Sequence, residues 1–329
     1  MKAITVREPG GPEQLVLADV PDPAPGPADL LVRVHATALN RADAMQRQGH
    51  YPPQHGASSI LGLELAGEVV GMGAEAEGFA VGDHVYGLSG GGGYGELATI
   101  HHQLAMPIPD GWDYQVAAAI PEVFFTANTA VNHLGALQAG ERALIHGGGS
   151  GVGIAAIQIA QLLGGEAWIT AGTDEKCVKA RDLGATLAVN YKRDDFVAAV
   201  EEASGGAGVH VILDVVGGPY LERNLRSLAQ AGRLVEVGLM GGAKTEINLS
   251  HLMAKRLRIY GTVMRSRPLA DRVAITRAYR RELEPALIDG RMRAVIDRAF
   301  PLREAAEAHR YMEADRNFGK IILDVAGGV

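Results

Sequence analysis

A glycine-rich stretch in the middle of the chain has the residue types that bind phosphate. Residues 147–153 are Gly-Gly-Gly-Ser-Gly-Val-Gly, and they follow an apolar run and precede a helical pattern. Glycines let a backbone turn sharply and approach a ligand, and the first amides of a helix have no partner within it. A strict G-x-G-x-x-G motif would have glycine in place of Ser150, whose hydroxyl can serve instead. We predict that Ser150, Gly151 and Val152 bind a dinucleotide; a flexible glycine loop is the alternative.

The residues after the next predicted strand bear on the choice of dinucleotide. An NAD enzyme places a carboxylate about 20 residues past the glycines to bind the ribose 2′-hydroxyl. Gly172 stands there instead, and Lys176 and Tyr191 follow, offering an ammonium and a phenol that suit a 2′-phosphate. We therefore predict NADPH, although a solvated helix lysine is the alternative for Lys176. Asp174 and Glu175 oppose this choice unless they point to solvent from the first turn of their helix.

Six strand-like runs alternate with helical runs through the central part of the chain. They lie at residues 144–145, 167–171, 186–190, 209–215, 233–237 and 258–261. Such alternation is typical of a doubly wound parallel sheet that binds a dinucleotide. The predicted fold class is α/β with a six-stranded parallel Rossmann sheet.

Both ends of the chain show a different pattern. Residues 1–121 contain short alternating strands and a proline cluster, which is typical of a small β-rich domain. The loop at residues 89–95 contains five glycines and is predicted to hold no single shape. The remaining predicted elements are a helix leading on from Glu122 to residue 130, a helix at 268–289, a strand at 295–300, a helix at 302–314 and a strand at 319–325.

Composition restricts the class of function. The 329 residues suffice for two domains, and 47% of them are hydrophobic. A net charge of −7 argues against an electrostatic interaction with nucleic acid or an anionic membrane. Cys177 is the only cysteine, which excludes a disulfide framework. No signal peptide and no membrane-spanning run is visible, so we expect a cytoplasmic protein.

Several motifs together resemble one enzyme family over nearly the whole chain. They are residues 40–43, 62–69, 81–85 and 118–121, the glycine stretch, and residues 317–321. The sequence resembles the zinc-free quinone oxidoreductase branch of the medium-chain dehydrogenase/reductase superfamily. Residues 46–51 and 238–242 are most similar to its p53-inducible type.

The resemblance implies a domain organisation and an assembly. Residues 1–121 and 266–329 would form a GroES-like substrate domain, residues 122–265 would form the Rossmann domain, and the active site would lie in the cleft. It further implies a homodimer in which the strand at residues 258–261 pairs across subunits. The implied partner is a small-molecule quinone or a related acceptor.

The resemblance also assigns roles to individual residues. Asn40 and Tyr51 would be hydrogen-bond donors near the acceptor, and Asn40 could also hold the nicotinamide ribose. Alternatively, Asn40 is a turn residue that bonds its own backbone, and Tyr51 is an ordinary packed aromatic. For Asp43 and Glu64 we favour a salt bridge that shapes the cleft. The residues assigned to the cofactor by the family motifs are Thr126, Gly238, Leu239, Met240 and Asn317; for Thr126 a helix-interior threonine is the alternative.

The sequence departs from the zinc-using relatives where their metal would bind. Those enzymes hold zinc with a cysteine, a histidine of a Gly-His-Glu motif and a further ligand. Here residues 40–43 occupy the region of the cysteine, and Leu63 stands where the histidine would be. Zinc needs nitrogen, sulfur or oxygen donors, and leucine has none. We therefore predict catalysis without a metal.

Without a metal, the chemistry has to rest on the cofactor. NADPH carries hydride, and the protein orients it and excludes water. A quinone accepts hydride readily, because one hydrogen-bond donor suffices for the oxygen that gains charge. The predicted activity is NADPH-dependent quinone reduction. The alternatives are reduction of an activated C=C bond in an enone or enoyl thioester, and an NADPH-binding structural or RNA-binding protein; the acidic charge disfavours RNA.

Overall fold

The computed structural model describes residues 1–53 and 56–327. The chain divides into two compact units, one formed by Met1–Glu122 with Arg265–Val329 and the other by Val123–Met264. We call the first the terminal unit, because both chain ends contribute to it, and the second the central unit.

The elements are numbered in chain order. The strands are β1 Lys2–Val6, β2 Leu15–Asp19, β3 Asp29–Ala38, β4 Glu64–Met72, β5 His84–Leu88, β6 Leu97–His101, β7 Ala105–Pro107, β8 Arg142–His146, β9 Glu166–Ala171, β10 Leu187–Asn190, β11 Val209–Asp214, β12 Leu228–Glu236, β13 Arg258–Gly261, β14 Ile296–Pro301 and β15 Lys320–Asp324. The α-helices are α1 Arg41–Arg47, α2 Tyr114–Ala118, α3 Pro121–Ala127, α4 Gly151–Leu162, α5 Asp174–Asp182, α6 Phe196–Ser204, α7 Leu221–Ser227, α8 Leu249–Ala254, α9 Leu269–Glu282, α10 Glu284–Ile288 and α11 Ala305–Glu313. Short 3-10 segments lie at Pro12–Gln14, Gly218–Tyr220 and Leu302–Glu304, and a π-helical segment at Asn128–Leu134. None of the helices in the described ranges is long and apolar enough to cross a membrane.

The central unit contains a six-stranded sheet in the order β10-β9-β8-β11-β12-β13. All of its neighbouring strands run parallel. The chain moves outward from β8 in one direction and then from β11 in the other, so the order reverses between these two strands. Such a switch point is where doubly wound sheets bind ligands, outside the carboxyl ends of the strands. The predicted Rossmann sheet is confirmed.

The strands beside the switch point are buried, as a parallel sheet requires. In β8, Ala143, Leu144 and Ile145 are at most 1% exposed, and in β11 Ile212 and Leu213 are fully buried. Consecutive apolar residues point to opposite faces of a strand, and crossover helices cover both faces of a parallel sheet. This packing holds the strand ends, and hence the residues that follow them, in fixed positions.

The terminal unit is built on a seven-stranded sheet in the order β14-β15-β3-β4-β5-β7, with β6 also paired to β3. Only β14 and β15 run parallel to each other; the other pairs are antiparallel. In β3, alternate residues Leu30, Val32 and Val34 are at most 2% exposed. This period of two is that of a strand with one face in the core.

The glycine-rich loop at residues 89–95 is ordered, so our prediction for it was wrong. Residues 91–95 are buried, and the amide of Gly93 donates to the carbonyl of Gly62 at 3.0 Å. A Cβ atom on Gly93 would lie 2.6 Å from the carbonyl oxygen of Glu64. Glycine here permits two segments to approach closely and does not confer mobility.

Two predicted helices are interrupted. The run predicted at 268–289 consists of α9 and α10, which meet at Leu283. Pro285 explains the break, since proline has no amide hydrogen and its ring clashes with the carbonyl four residues earlier. The run that begins near Glu122 is α-helical only to Ala127 and continues as the π-helical segment.

Candidate active site

The glycine stretch forms the turn between β8 and α4. Ser150 is the N-cap of α4, and its hydroxyl oxygen accepts a hydrogen bond from the amide of Gly153 at 3.0 Å. Gly151 and Val152 form the first turn, so their amides have no intrahelical acceptor. These amides, at the positive end of the helix dipole, are suitable donors to a phosphate.

Two glycines of the turn permit close packing. A Cβ atom on Gly148 would lie 2.6 Å from Cβ of Ile169 in β9. One on Gly153 would lie 2.3 Å from the carbonyl oxygen of Gly147. Both contacts are too short for a real side chain, so glycine lets α4 start directly above the strand ends.

The three residues expected to bind a 2′-phosphate lie near the ends of β9 and β10. Gly172 directly follows β9, and the amide of Tyr191, directly after β10, donates to Ala171 at 3.1 Å. Lys176 lies in the first turn of α5 and is only 8% exposed. It is therefore not the solvated helix lysine of the alternative interpretation. Phosphate binding by this group remains a prediction.

The carboxylates near this group are paired with cations. The side chain of Asp174 accepts hydrogen bonds from Arg193 at 2.5 Å and from Asn190 at 2.8 Å. Glu175 is bound to Lys179 at 2.7 Å, and both carboxylates are exposed, as we expected. The objection that they raise against a 2′-phosphate is therefore weakened, and Arg193 brings an additional positive charge.

The predicted cofactor segment Gly238, Leu239 and Met240 follows β12. The amide of Met240 donates to the carbonyl of Val215, just beyond the end of β11, at 3.1 Å. Leu239 and Met240 are 53% and 60% exposed. The segment therefore lies beside a strand of the switch point and presents apolar side chains to solvent, while its contact with a cofactor stays a prediction.

A buried polar chain connects the ends of three strands in the central unit. His146, the last residue of β8, lies 2.9 Å through Nδ1 from the hydroxyl of Thr170 and 2.8 Å through Nε2 from Oδ1 of Asn224. Asn224 donates through Nδ2 to Asp214 at 2.8 Å. Because Asn224 uses its amide hydrogens toward Asp214, its Oδ1 accepts, so His146 carries its proton on Nε2.

Burial keeps the His146 side chain uncharged. Desolvation lowers the pKa of His146 to about 4 and raises the pKa of Asp214 to about 6. Asp214 also accepts hydrogen bonds from the amides of Val216 at 2.6 Å and Gly217 at 3.3 Å. The chain thus holds the loop after β11 to the ends of β8 and β9.

The terminal unit contains a buried ion pair at Asn40. The Nζ atom of Lys320 donates to Oε1 of Glu64 and to Oδ1 of Asn40, each at 2.8 Å, and the side-chain Nδ2 of Asn40 donates to the same Glu64 oxygen at 2.8 Å. Glu64 is fully buried and Lys320 is 4% exposed. The expected salt bridge of Glu64 is confirmed. The other amide contact of Asn40 is with Ala38 at 3.3 Å, so a role toward acceptor or ribose remains a prediction.

Asp43 does not form the expected salt bridge with any described residue. Its carboxylate accepts from the amides of Asn40 at 2.8 Å and Gly62 at 3.2 Å and from the hydroxyl of Tyr94 at 3.3 Å. Desolvation raises its pKa to about 6 despite these bonds. Asp43 therefore closes the first turn of α1 and ties it to the loop before β4.

Tyr51 packs against an arginine. The guanidinium carbon of Arg265 lies 4.6 Å from the centre of the Tyr51 ring, and Arg265 donates to the Tyr51 carbonyl at 2.9 Å. Arg265 also donates to Gln46. The Tyr51 hydroxyl has no hydrogen bond within the part of the chain that the structure describes. Desolvation and then the charge of Glu122 raise its pKa, whereas Arg265 lowers it.

Glu122 lies at the start of α3 beside the ion pair. Its amide donates to Oε2 of Glu64 at 2.8 Å. Its own Oε2 is shielded from solvent and has no hydrogen-bond partner among the described residues. Desolvation and then the charge of Glu64 raise its pKa to about 8; Asp43 adds to this rise, and Lys320 and Arg265 oppose it. The carboxyl is therefore protonated at neutral pH.

The remaining predicted cofactor residues lie in different units. Thr126 belongs to α3 and is half-buried. Asn317 lies before β15, where its side-chain amide donates to the carbonyl of Gly319 at 2.7 Å. The amide of Asn317 thus supports its own turn, and both assignments stay predictions.

Two ranges of the chain match known protein families. Residues 26–110 match the family described as Alcohol dehydrogenase GroES-like domain, and residues 151–277 match the family described as Zinc-binding dehydrogenase. Quinone oxidoreductase from Rattus norvegicus is 32% identical over 326 residues, which is 98% of this chain and 97% of that protein. The chain belongs to the quinone oxidoreductase family. It is an oxidoreductase of the medium-chain dehydrogenase/reductase superfamily, in the zinc-free branch.

Solved structures agree on the fold but differ in name. Quinone oxidoreductase from Escherichia coli, complexed with NADPH, has a TM-score of 0.89 and 28% identity, covering 99% of this chain and 100% of that chain. A protein described as an NAD-dependent alcohol dehydrogenase has a TM-score of 0.86 and 32% identity, covering 99% and 100%. Residues near the end of β9 therefore have to distinguish the two cofactors in this family member.

The residues of this chain do not fit a catalytic zinc, although one matched family is described as zinc-binding. Leu63 is 3% exposed and has no donor atom. Asn40 is engaged with Glu64 and Lys320. Across residues 1–53 and 56–327, no three histidine, cysteine, aspartate or glutamate residues are grouped to hold a metal. Burial in α5 raises the pKa of the Cys177 thiol, which makes the metal-binding thiolate less available.

Sequence reasoning did not identify the residues of the His146 chain, nor Lys320, Glu122 and Arg265 of the terminal unit. Lys320 begins an apolar strand, and His146 and Asp214 are polar residues that end buried strands, so each carried a visible signal. Glu122 and Arg265 carried none, because their environment depends on segments distant in sequence.

Proposed function

We propose that this chain is an NADPH-dependent quinone reductase that transfers hydride without a metal. The observation that carries the proposal is the residue set near the end of β9. Gly172 leaves room where NAD enzymes have a carboxylate, Lys176 and Tyr191 lie near it, and Asp174 is paired with Arg193. The quinone oxidoreductases among the relatives, one of them complexed with NADPH, support the same assignment.

Each part of the chain has a defined task in this proposal. When bound, NADPH supplies the hydride. The amides of Gly151 and Val152 bind the pyrophosphate at the start of α4. The hydroxyl of Tyr51 donates toward the acceptor oxygen that gains charge, and Arg265 holds the phenol ring in place. Because a quinone oxygen needs only such a donor, no Lewis acid is required.

Cofactor titration tests the proposal most directly. Lys176→Ala should weaken the binding of NADPH by about ten- to a hundredfold, because a hydrogen bond to a charged group contributes about 1.5–3 kcal/mol. NADH should bind about as before, since it has no phosphate there. Gly172→Asp should reverse the preference by placing a carboxylate against the phosphate. Lys2→Ala, which removes a lysine paired with Asp19 in the terminal unit, is the control and should change neither dissociation constant.

Fluorescence quenching with both cofactors measures these constants. A wild-type preference for NADH would exclude the NADPH assignment. If Lys176→Ala weakens the binding of both cofactors equally, this lysine does not bind the 2′-phosphate.

The acceptor class requires a separate measurement. We expect purified enzyme to reduce quinones faster than enones or enoyl thioesters at equal concentrations of NADPH. Extended dialysis against a strong chelator should leave the rate unchanged, because Leu63 cannot bind zinc. Preferential turnover of an enone, or restoration of a lost activity by zinc alone, would contradict the proposal.

We further propose a cytoplasmic homodimer formed through β13. This strand is the edge of the central sheet, and Ile259 in it and the nearby Val263 are 39% and 48% exposed. An unpaired edge strand is a template for pairing with a second copy. Light scattering after size exclusion should give twice the mass of one chain. In Ile259→Lys the measured mass should fall to that of a single chain.

A further inference from the structure

We propose that Glu122 stores the proton that Tyr51 delivers to the acceptor, an inference that rests on the proposed quinone reduction. The carboxyl group of Glu122 is the one acid of its cluster with an unused oxygen. Its Oε2 is shielded from solvent and lacks a hydrogen-bond partner in the described residues. A buried polar atom of this kind is costly unless it serves a purpose.

The two neighbouring acids are occupied and cannot fill this role. Glu64 accepts from Lys320 and Asn40 through Oε1 and from the Glu122 amide through Oε2. Its charge is therefore compensated by a buried ammonium 2.8 Å away. Asp43 accepts from two backbone amides and from the Tyr94 hydroxyl. Glu122 alone has a carboxyl oxygen left to exchange a proton.

Glu122 is electrostatically coupled to Tyr51. A charge on Glu122 raises the pKa of the Tyr51 phenol, and Arg265, over the phenol ring, lowers it. Arg265 also favours the ionised form of Glu122. One cation thus faces both groups and can stabilise the negative charge on either while a proton moves between them.

Reduction of the acceptor requires one hydride and one proton. The acceptor receives hydride from NADPH and a proton from the hydroxyl of Tyr51. Because no hydrogen bond joins the two groups among the described residues, the phenolate regains the proton of the Glu122 carboxyl through solvent, and the carboxylate is then reprotonated from water. Each turnover thus consumes one proton from solvent and one hydride. The charged and titratable groups that face Glu122 are Glu64 of β4, Asp43 of α1, Lys320 of β15, and Arg265 and Tyr51.

A direct titration tests the proton store without any turnover. Carbon-13 labelling of the glutamate carboxyl groups should show a resonance that titrates near pH 8 and disappears in Glu122→Gln. Glu236→Gln is the matched control, because desolvation also raises the pKa of Glu236 to about 8 in the central unit. Titration of Glu122 near its ordinary pKa of about 4.3 would overturn the proposal.

The pH profile of turnover tests whether this proton is used. With a quinone, kcat of the wild type should fall about tenfold per pH unit above pH 8, as Glu122 loses its proton. Glu122→Gln should lower kcat at pH 7 by about a hundredfold, the lower range for general acid catalysis, and remove the alkaline decline. NADPH affinity should stay within about twofold. Glu202→Gln, an exposed glutamate of α6, should leave the profile unchanged.

The pairing with Tyr51 has its own test. If Tyr51 and Glu122 act in series, Tyr51→Phe combined with Glu122→Gln should be no slower than the slower single variant. If the rate reductions of the two single variants multiply in the double variant, the two residues act independently, and the proposed proton transfer from Glu122 to Tyr51 is wrong. A wild-type alkaline decline that persists in Glu122→Gln would overturn the proton store while leaving quinone reduction intact. Absence of quinone reduction in the wild type would instead contradict the proposed function, and the carboxyl titration would still report on Glu122.

Discussion

In the central unit, every buried polar side chain of the His146 chain has a partner, whereas in the terminal unit the cluster around Glu64 leaves one carboxyl oxygen without one. Thr170, His146, Asn224 and Asp214 pass donors to acceptors in sequence. Around Glu64, the ammonium of Lys320 and the amide of Asn40 satisfy one acid while Oε2 of Glu122 remains unpaired.

The difference separates two tasks that buried polar groups perform. A chain in which every buried polar group has a partner rigidifies its surroundings, because any movement leaves a donor or an acceptor without one. We therefore interpret the His146 chain as a support for the loop after β11. A cluster with an unsatisfied acid is less stable but can exchange a proton, which is the property that general acid chemistry needs. Glu236 of the central unit also has a buried oxygen without a partner among the described residues, but it is the charge of Glu122 that shifts the pKa of Tyr51. We therefore assign the proposed proton chemistry to Glu122 of the terminal unit.

Removal of the buried ammonium should give the largest loss of stability. Lys320→Met leaves the charge of Glu64 buried without its cation, and breaking such a pair costs about 3–5 kcal/mol. Urea unfolding should show this loss. Lys2→Met, which removes an exposed partner of Asp19 at 2.7 Å, should change little.

A double variant sharpens this test. Lys320→Met combined with Glu64→Gln removes both charges and should recover much of the loss. If the double variant is no more stable than Lys320→Met, then the ion pair is not what stabilises this cluster.

Interruption of the His146 chain should have a smaller effect. Asn224→Leu leaves Nε2–H of His146 without an acceptor, at a cost of about 1–3 kcal/mol, and removes one of the two hydrogen bonds to Oδ2 of Asp214. Because Asp214 orders the loop after β11, NADPH affinity should fall as well. Gln161→Leu, which removes a surface amide that donates to Gly184, is the control and should affect neither quantity. Unchanged unfolding of Asn224→Leu would show that the chain contributes no stability.

The last expected effect, which develops only as the pH is raised, is a change in the pH dependence of stability at Glu122. Burial raises the pKa of this carboxyl from 4.5 to about 8, so the folded protein binds an extra proton between these values. The free energy of unfolding should therefore decrease as pH rises through this window. Glu122→Gln should remove that decrease. Between pH 5 and pH 8.5 the variant should therefore lose less unfolding free energy than the wild type. Thermal unfolding across this range measures it, and identical slopes in the two proteins would contradict the raised pKa.

Features that depend on neighbouring residues could be predicted from the sequence. The glycine turn involves only the residues of 147–153 and the strand and helix beside them, and its conformation follows from backbone sterics. The parallel sheet follows from apolar runs that repeat in alternation with helices. The absence of a carboxylate at Gly172 is likewise visible without coordinates.

Tertiary structure alone decided the partners and protonation of the buried acids. Lys320 meets Asn40 across 280 positions of the chain, and Glu64 meets the amide of Glu122 across 58. No local pattern predicts such pairs, because β15, β4 and α3 come together only when the sheet of the terminal unit forms. The pKa of a carboxyl is set by desolvation and by the charges that packing brings near it. Glu122 and Asp43 therefore look like ordinary surface acids in the sequence, and only burial beside Glu64 and Lys320 makes one a neutral acid and the other a backbone clamp.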